Sequence, residues 1–363
     1  MNLIVNIKAF SRLGGFLTQF LEEFSSEESA SEYEFLNEMF KERLENAIQQ
    51  SINYNGWFTQ DNVKYALTSI ANNLTYAKLS AWLLPYTESL EKNTGPGKIA
   101  VVMAGNIPLS GFHDFMCVLI SGNTFIGKLS SQDKLLLPLL SDVLIEIETS
   151  FKSRIVFTEG RITSMDAVIA TGSNNTSRYF DYYFGKYPNI IRRNRNSVAI
   201  LTGKESELDI FNLGNDVFRY FGLGCRNVTK LFVPRNYDFD VFFRAIYDFQ
   251  WIANNNKYIN NYHYNKTVYL MGNENLLDNG FMILKEDKTK SSPVGVLFYE
   301  YYDSLEEIEK TLESELLSEV QCVVSNKMAK LPTVEFGAAQ LPGLDDYADG
   351  IDTIQFLANL IEK

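Results

Sequence analysis

The chain has 363 residues, 45% of them hydrophobic, and a formal net charge of −12 from 33 Lys and Arg against 45 Asp and Glu. That length and apolar content suit a sizeable core divided over about two domains. The acidic balance opposes non-specific attraction to nucleic acid or anionic lipid, so any anion site has to be a local basic patch. No stretch is apolar over a membrane's thickness, since Pro138 interrupts Leu135 to Leu140, and Met1 to Phe10 is too short and too polar for a secretory or spanning segment. Cys117, Cys225 and Cys322 each lie about a hundred residues from the next, which suggests neither a disulfide framework nor a zinc site. With two histidines and no clustered Cys or carboxylates, no catalytic metal is expected. A soluble protein of a reducing cytoplasm fits this composition.

Along the chain, Ser29 to Leu90 carries helical periodicity, with Phe35, Met39, Leu44, Ala47 and Ile48 read as one face, a break at Asn55-Gly56 and a second stretch from Gln60. This predicts an N-terminal helical segment over 1–92. The breaker Asn93-Thr94-Gly95-Pro96-Gly97 ends it. Strands are then predicted at Ile99 to Met103, Thr124 to Leu129, Ile155 to Phe157 and Ala167 to Ala170, with helices near Ser110 to Leu119 and Asp133 to Ile147. Strand-helix-strand units predict a parallel, doubly wound sheet, placed in a Rossmann-like domain over 93–204. A further strand at Ser197 to Leu201 leads to a helix from Glu205 to Phe221, then Gly222-Leu223-Gly224-Cys225 and a strand through Leu231-Phe232-Val233. This opens a second α/β domain over 205–334, with later elements at Lys266 to Met271 and Val294 to Tyr299 and a helix from Ser304 to Leu317. The segment 335–363 reads as a return across the molecule.

Cys225 stands between turn glycines, where backbone N–H groups help to populate a thiolate. From its own segment alone, a buried inert thiol is the commoner case. Three distant segments change the weighting. Asn106-Ile107-Pro108 follows an apolar strand, where loops at sheet ends bind ligands, and the Asn106 amide could donate to an oxyanion. Gly122 through Lys128 ends a second strand with a cation suited to a ribose or phosphate. Thr171-Gly172-Ser173 places small residues and N–H donors before a helix, a natural pyrophosphate site.

In this order the segments resemble the aldehyde dehydrogenase superfamily and, within it, the LuxC-type long-chain acyl-CoA reductase family. Asn106-Ile107-Pro108 is similar to the superfamily's Asn-Phe-Pro turn, Gly122-Asn123-Thr124 through Lys128 to its Gly-Asn-Thr strand, and Thr171-Gly172-Ser173 to its Thr-Gly-Ser turn. Cys225 falls on the nucleophile position, with Gly222 three residues before it. The resemblance covers roughly Lys98 to the C-terminus, and Gly343 to Gly350 looks particular to the reductase branch. It implies an aldehyde-dehydrogenase-like α/β fold of two doubly wound domains, Cys225 and Asn106 as catalytic residues, and Lys128, Ser131, Gly172 and Ser173 at the cofactor. It also suggests a homo-oligomer acting on a fatty acyl group from coenzyme A or an acyl-carrier partner protein.

The departures refine this. The superfamily's general-base Glu aligns within Arg192-Arg193-Asn194-Arg195-Asn196, where no carboxylate stands. A reductase has to shield its acyl-enzyme from water, so the loss favours thioester reduction over aldehyde oxidation. Ser131 replaces a Glu that often holds the adenosine ribose, which removes repulsion against a 2'-phosphate and favours NADPH, with NADH as the other possibility. Thr289 to Val294 lacks the Glu of the Glu-x-Phe-Gly-Pro-Val motif, so the nicotinamide-ribose contacts differ. Arg192, Arg193 and Arg195 are candidates for phosphate binding or, equally, a solvated loop; His113 is a candidate proton donor or cofactor contact, or a helix-face histidine bonded to backbone or water. An aldehyde oxidiser, an acyl-phosphate reductase on the same scaffold and a non-catalytic scaffold protein remain the alternatives.

Overall fold

The computed structural model describes residues 2–21, 27–92, 97–315, 319–326, 328 and 330–360. Asn93 to Pro96 of the expected breaker lie outside them. The chain forms two compact units, Met1–Arg193 with Gly343–Lys363, and Asn194–Pro342.

The first unit begins with helices α1 (Leu3–Leu21), α2 (Glu27–Tyr54), α3 (Gln60–Asn73), α4 (Tyr76–Leu83) and α5 (Thr87–Glu91). Helix α1 falls within the helical segment expected over 1–92 and buries Phe10, Leu13, Phe16 and Leu17 completely, a contribution on the order of 1.5–3 kcal/mol each. The buried stripe of α2 is Leu36, Phe40, Leu44, Ala47 and Ile48, whereas Phe35 and Met39 are exposed. The predicted face is therefore corrected by one position at its N-terminal end: the 4-4-3 spacing from Leu36 keeps one side of the helix, and Phe35 and Met39 lie about 100° away from it.

Then follow β1 (Lys98–Val102), α6 (Phe112–Ile120), β2 (Thr124–Lys128), α7 (Leu136–Ile147), β3 (Ile155–Phe157), β4 (Ala167–Thr171), α8 (Asn174–Phe184) and β5 (Asn189–Arg192). The strands pair in parallel in the order β3-β2-β1-β4-β5. The β1-α6-β2-α7-β3 half covers one sheet face together with the N-terminal helices. The order reverses between β1 and β4, which makes their C-terminal ends the switch point of the sheet. Asn6 ties α1 to α6 by donating to the carbonyls of Leu119 (3.2 Å) and Ile120 (3.1 Å), groups that the end of a helix leaves unpaired.

The second unit contains β6 (Asn196–Ile200), α9 (Glu207–Phe218), β7 (Val228–Pro234), α10 (Phe239–Ala245), α11 (Asn256–Met271), β8 (Leu277–Asp278), β9 (Ile283–Glu286), β10 (Val296–Tyr302), α12 (Leu305–Glu315), β11 (Val320–Val324) and β12 (Thr333–Val334). Its sheet runs β12-β11-β6-β7-β10-β9-β8, parallel except at β8. Strand β6, assigned from sequence to the first domain, pairs with β7 and β11 in this second sheet. Lys266 to Met271 is the last part of helix α11 and not a separate element. Asn255 starts that helix by accepting from the N–H groups of Lys257 and Tyr258, and this cap outweighs the β-branched, aromatic character of the run.

Residues 343–363 rejoin the first unit through α13 (Thr353–Asn359). No helix among the described residues is long and apolar enough to cross a membrane.

Candidate active site

In the second unit, α9 stops at Phe218 and the backbone turns through Tyr220, Phe221 and Gly222, with φ of 53°, 58° and 77°. Left-handed backbone costs an L-residue about 1–2 kcal/mol, so two non-glycine residues in succession must be held there by their surroundings. Gly222 takes the third such position without that cost. The fully buried Asn227 ties down the chain on both sides of these three residues. Its Nδ2 reaches the carbonyls of Asp216 (3.0 Å), Val217 (3.3 Å) and Arg219 (2.8 Å), and its Oδ1 accepts from the Gly224 N–H at 2.8 Å. Two of those carbonyls belong to the last turn of α9, where no helical donor remains.

The turn delivers Cys225, half-buried, to the start of β7. Ser197 donates to its carbonyl at 3.1 Å. The buried Cys322 packs its Sγ 3.1 Å from the same serine hydroxyl, which gives that thiol a place in the sheet interior. Asp216, wholly buried, accepts from the N–H groups of Gly337 (2.7 Å) and Ala339 (2.9 Å), and Arg226 donates to the Ala339 carbonyl. Burial pushes the Asp216 carboxyl up to about 6 against those two bonds. The cysteine segment is thus pinned from α9, from β6 and from the 337–339 segment.

In the first unit, the other predicted residues stand at the C-terminal ends of β1, β2 and β4. Asn106 is exposed on the loop that follows β1. That loop is held from several sides: Asn55 donates to the Gly105 carbonyl (2.9 Å), Ser110 to the Ala104 carbonyl (2.8 Å), and the Leu109 N–H to the Asp133 carboxylate (2.8 Å). Leu109 sits at φ 57°, so Asp133 fixes a strained residue three places after Asn106. Lys128 closes β2 and lines a cavity of about 510 Å3. Ser131 is exposed between β2 and α7. Ser173 caps α8, its Oγ accepting from the Thr176 N–H at 3.2 Å. Gly172 passes so near this helix that a Cβ would lie 2.9 Å from the Phe180 ring.

Asp133 yields a pH prediction. Burial raises its carboxyl from 3.8 to about 6, outweighing the Leu109 N–H bond. The folded chain then holds this proton more tightly than the unfolded chain. Stability falls as pH rises from 3.8 through about 6, and the loss persists above. Asp133→Asn keeps an acceptor for Leu109 and removes the titration. Between about pH 4 and about pH 7, wild-type stability is expected to fall by up to about 3 kcal/mol more than that of the variant. Parallel thermal-melt curves would contradict the assignment.

The second-tier residues go separate ways. Arg192 is buried in an ion pair with Asp114 (2.5 Å) and donates to the Thr353 hydroxyl at 3.0 Å. Neither a phosphate cradle nor a solvated loop describes it, because β5 carries its side chain inward beneath α13. Arg193 is exposed and pairs with Asp181 at 3.1 Å, while Arg195, in the other unit, donates to the Val320 carbonyl. His113 has its Nε2 2.9 Å from the Leu344 carbonyl, its Nδ1 3.6 Å from the Cys117 Sγ, and its ring beside Trp82 and Tyr347. Burial lowers its pKa and raises that of Cys117. The carbonyl partner selects the neutral tautomer with the proton on Nε2. The segment Gly343 to Gly350 supplies Leu344 and Tyr347 to this cluster, so in this unit it serves as a packing clasp.

The family model for acyl-CoA reductase (LuxC) matches residues 16–233. The chain belongs to the LuxC acyl-CoA reductase family. It is accordingly an oxidoreductase. Its fold resembles that of aldehyde dehydrogenase 21 from Physcomitrella patens, solved with succinate, at a TM-score of 0.68 and 13% identity over 99% of this chain and 85% of that one. The aldehyde dehydrogenase KauB from Pseudomonas aeruginosa gives a TM-score of 0.60 at 12% identity over 91% and 73% of the two chains. An aldehyde dehydrogenase from Bacillus cereus in its NAD+ complex gives 0.56 at 14% identity over 91% and 72%. At these identities the likeness is one of fold. No curated protein matches the sequence.

Sequence reading missed Asn227, Asp216 and Asp133. Asn227 lies two residues beyond the cysteine without any motif to mark it. Asp133 was read as the start of a helix, which in fact begins at Leu136.

Proposed function

We propose that this LuxC-family chain reduces a fatty acyl thioester to the aldehyde with NADPH, through an acyl group carried on Cys225. The observation that carries this reading is the left-handed Tyr220-Phe221-Gly222 turn, bracketed on both sides by hydrogen bonds from a buried Asn227, which leads into the half-buried Cys225. A cysteine in the sheet interior would need no such device, and Cys117 and Cys322 have none.

In this reading the Cys225 thiolate attacks the thioester carbonyl, with the Asn106 amide and the Cys225 N–H assigned to the tetrahedral oxyanion. The C–S bond to the carrier breaks, the carrier thiolate takes a proton, and an acyl-cysteine remains. The bound dinucleotide supplies the hydride. Collapse of the resulting thiohemiacetal releases aldehyde and returns the Cys225 thiolate. Residues 189–200 contain no Asp or Glu, so that stretch offers no carboxylate to activate water against the acyl-enzyme.

The first unit fits the dinucleotide. Lys128 borders a cavity of about 510 Å3, in the range that encloses small ligands. The N-terminus of α8 follows Gly172 and Ser173, a setting suited to a pyrophosphate. Lys128 and Ser131 are assigned to the adenosine ribose, and Gly172 with Ser173 to the diphosphate. The acyl donor is acyl-CoA or an acyl-carrier partner protein.

The test supplies a panel of saturated acyl-CoAs of increasing chain length with either NADPH or NADH. Aldehyde and free coenzyme A thiol are expected in equal amounts, with NADPH preferred by about tenfold or more. Oxidation of aldehydes to acids with no turnover of any thioester would overturn the proposal.

A further inference from the structure

The cavity beside Lys128 lies on the sheet face opposite α6 and α7, and it is built differently from the rest of the first unit. β3 and β4 are joined by residues 158–166, which carry no helix although the connection crosses two strands. Between this segment and the C-terminal half of α8, the sheet face stays open. The floor is apolar: Val102, Ile162, Met165 and Phe184 line the cavity and belong to a small core with Ala100, Val168 and Ala170. The rim carries Lys128 from β2, Arg161 from the 158–166 segment and Lys186 from the residues after α8.

Three cations from three separate chain segments around one apolar cavity is an unusual concentration in a chain of net charge −12. Of the groups that could neutralise them, Glu159 also lines the cavity, but its carboxylate pairs with Lys134 at 3.3 Å. Lys186 holds its ammonium 5.1 Å from the Tyr187 ring, a position that fixes the charge without discharging it. Asp166, which ends the connecting segment, is occupied by the Lys98 N–H at 2.7 Å.

An apolar floor with a cationic rim selects a flat, weakly polar ring that bears a compact dianion. We infer that Arg161 and Lys186 recognise the 2'-phosphate of the adenosine ribose, and that they are the residues that set the preference for NADPH over NADH. The inference rests on the assignment of the first unit to the cofactor and extends it to residues outside the family's motifs. Arg161 is the stronger discriminator, because its planar fork can take two phosphate oxygens at once, whereas Lys186 acts as a point charge. Both charges fall off within a Debye length, so the preference weakens with added salt.

The experiment measures binding rather than turnover. Adenosine 2',5'-bisphosphate and 5'-AMP, which lack the nicotinamide, are titrated calorimetrically into the full chain, into Arg161→Gln and into Lys186→Gln. Wild type is expected to bind the bisphosphate at least about tenfold more tightly than 5'-AMP. Arg161→Gln should reduce that ratio to about threefold or less, Lys186→Gln should reduce it by a smaller factor, and 5'-AMP binding should change by less than about twofold in either variant. Mass detection of acylated Cys225 should be unchanged in both. If wild type prefers the bisphosphate and neither variant lowers the preference, the roles of Arg161 and Lys186 are refuted while the NADPH reading stands. If wild type shows no preference, the NADPH assignment falls and takes this inference with it. Weaker binding of both nucleotides by the same factor would mean that these residues shape the cavity and do not read the phosphate, which also refutes the inference.

Discussion

Cys225→Ala is expected to lower acyl-CoA reduction by at least about a thousandfold, because the reaction loses the atom that accepts the acyl group. The same substitution should leave stability within about 1 kcal/mol of wild type. Cys225 is half-buried, and its segment is held through backbone groups, by Asn227 on the Gly224 N–H and by the hydroxyl of Ser197 on the Cys225 carbonyl. Loss of activity with an unchanged denaturation midpoint therefore separates chemistry from folding. Cys225→Ser should also be inactive, since a hydroxyl is not ionised near neutral pH as a thiol can be. Cys117 and Cys322 serve as controls: both are buried, and alanine at either should cost stability while leaving the rate per folded molecule unchanged. Residual activity above about a tenth of wild type in Cys225→Ala would contradict the assignment.

The other large effect is expected in the first unit, at Asp114 and Arg192. Their side chains are 4% and 6% exposed and lie 2.5 Å apart. Asp114→Ala would strand a buried guanidinium, and breaking a pair of this kind costs about 3–5 kcal/mol. The pair is imperfectly served, because Asp114 Oδ1 and Arg192 Nε are buried without a hydrogen-bond partner. Replacing both residues, as in Asp114→Leu with Arg192→Met, should therefore recover most of the loss. Urea unfolding of the two single variants and the double variant reads this directly. If Asp114→Ala changed stability by less than about 1 kcal/mol, Arg192 would be accessible to water and its candidacy as a phosphate ligand would return.

Much of the first unit was legible because β1 and β4, buried at successive positions, read as short apolar runs, and the positions of β1, β2, β3 and β4 show in the sequence within about a residue or two. Strand β5 was missed because Asn189-Ile190-Ile191-Arg192 carries only two apolar residues, and its Arg is buried by pairing and not by its own character. The expected helix from Glu205 to Phe221 overruns α9 by three residues at its C-terminal end. The pattern through Tyr220 and Phe221 stays apolar, and what stops the helix is a hydrogen-bonding residue further on in the chain, Asn227, which captures its final carbonyls.

The candidate site divides in the same way. Cys225, Asn106, Lys128 and the Gly172-Ser173 turn could be named because each sits in a short motif, the last three at the ends of strands β1, β2 and β4 and Cys225 in the glycine turn between α9 and β7. The residues that shape those motifs could not, because Asp133, Asp216 and Asn227 act through backbone groups, and backbone partners leave no side-chain pattern to read. The arginine cluster misled for a related reason. Three cations close in sequence each take a partner of their own, Arg192 the buried Asp114, Arg193 the exposed Asp181 and Arg195 the Val320 carbonyl, and partners of that kind leave no mark in the local sequence.

The most direct measurement is the intact mass of the full chain after brief incubation with an acyl-CoA in the absence of any dinucleotide. Wild type should gain the mass of one acyl group, held on the peptide containing Cys225 and released as aldehyde when NADPH is added. Cys225→Ala should gain none. An adduct that persists in Cys225→Ala, or wild-type turnover to aldehyde with no acylated Cys225 at any time, would contradict the account.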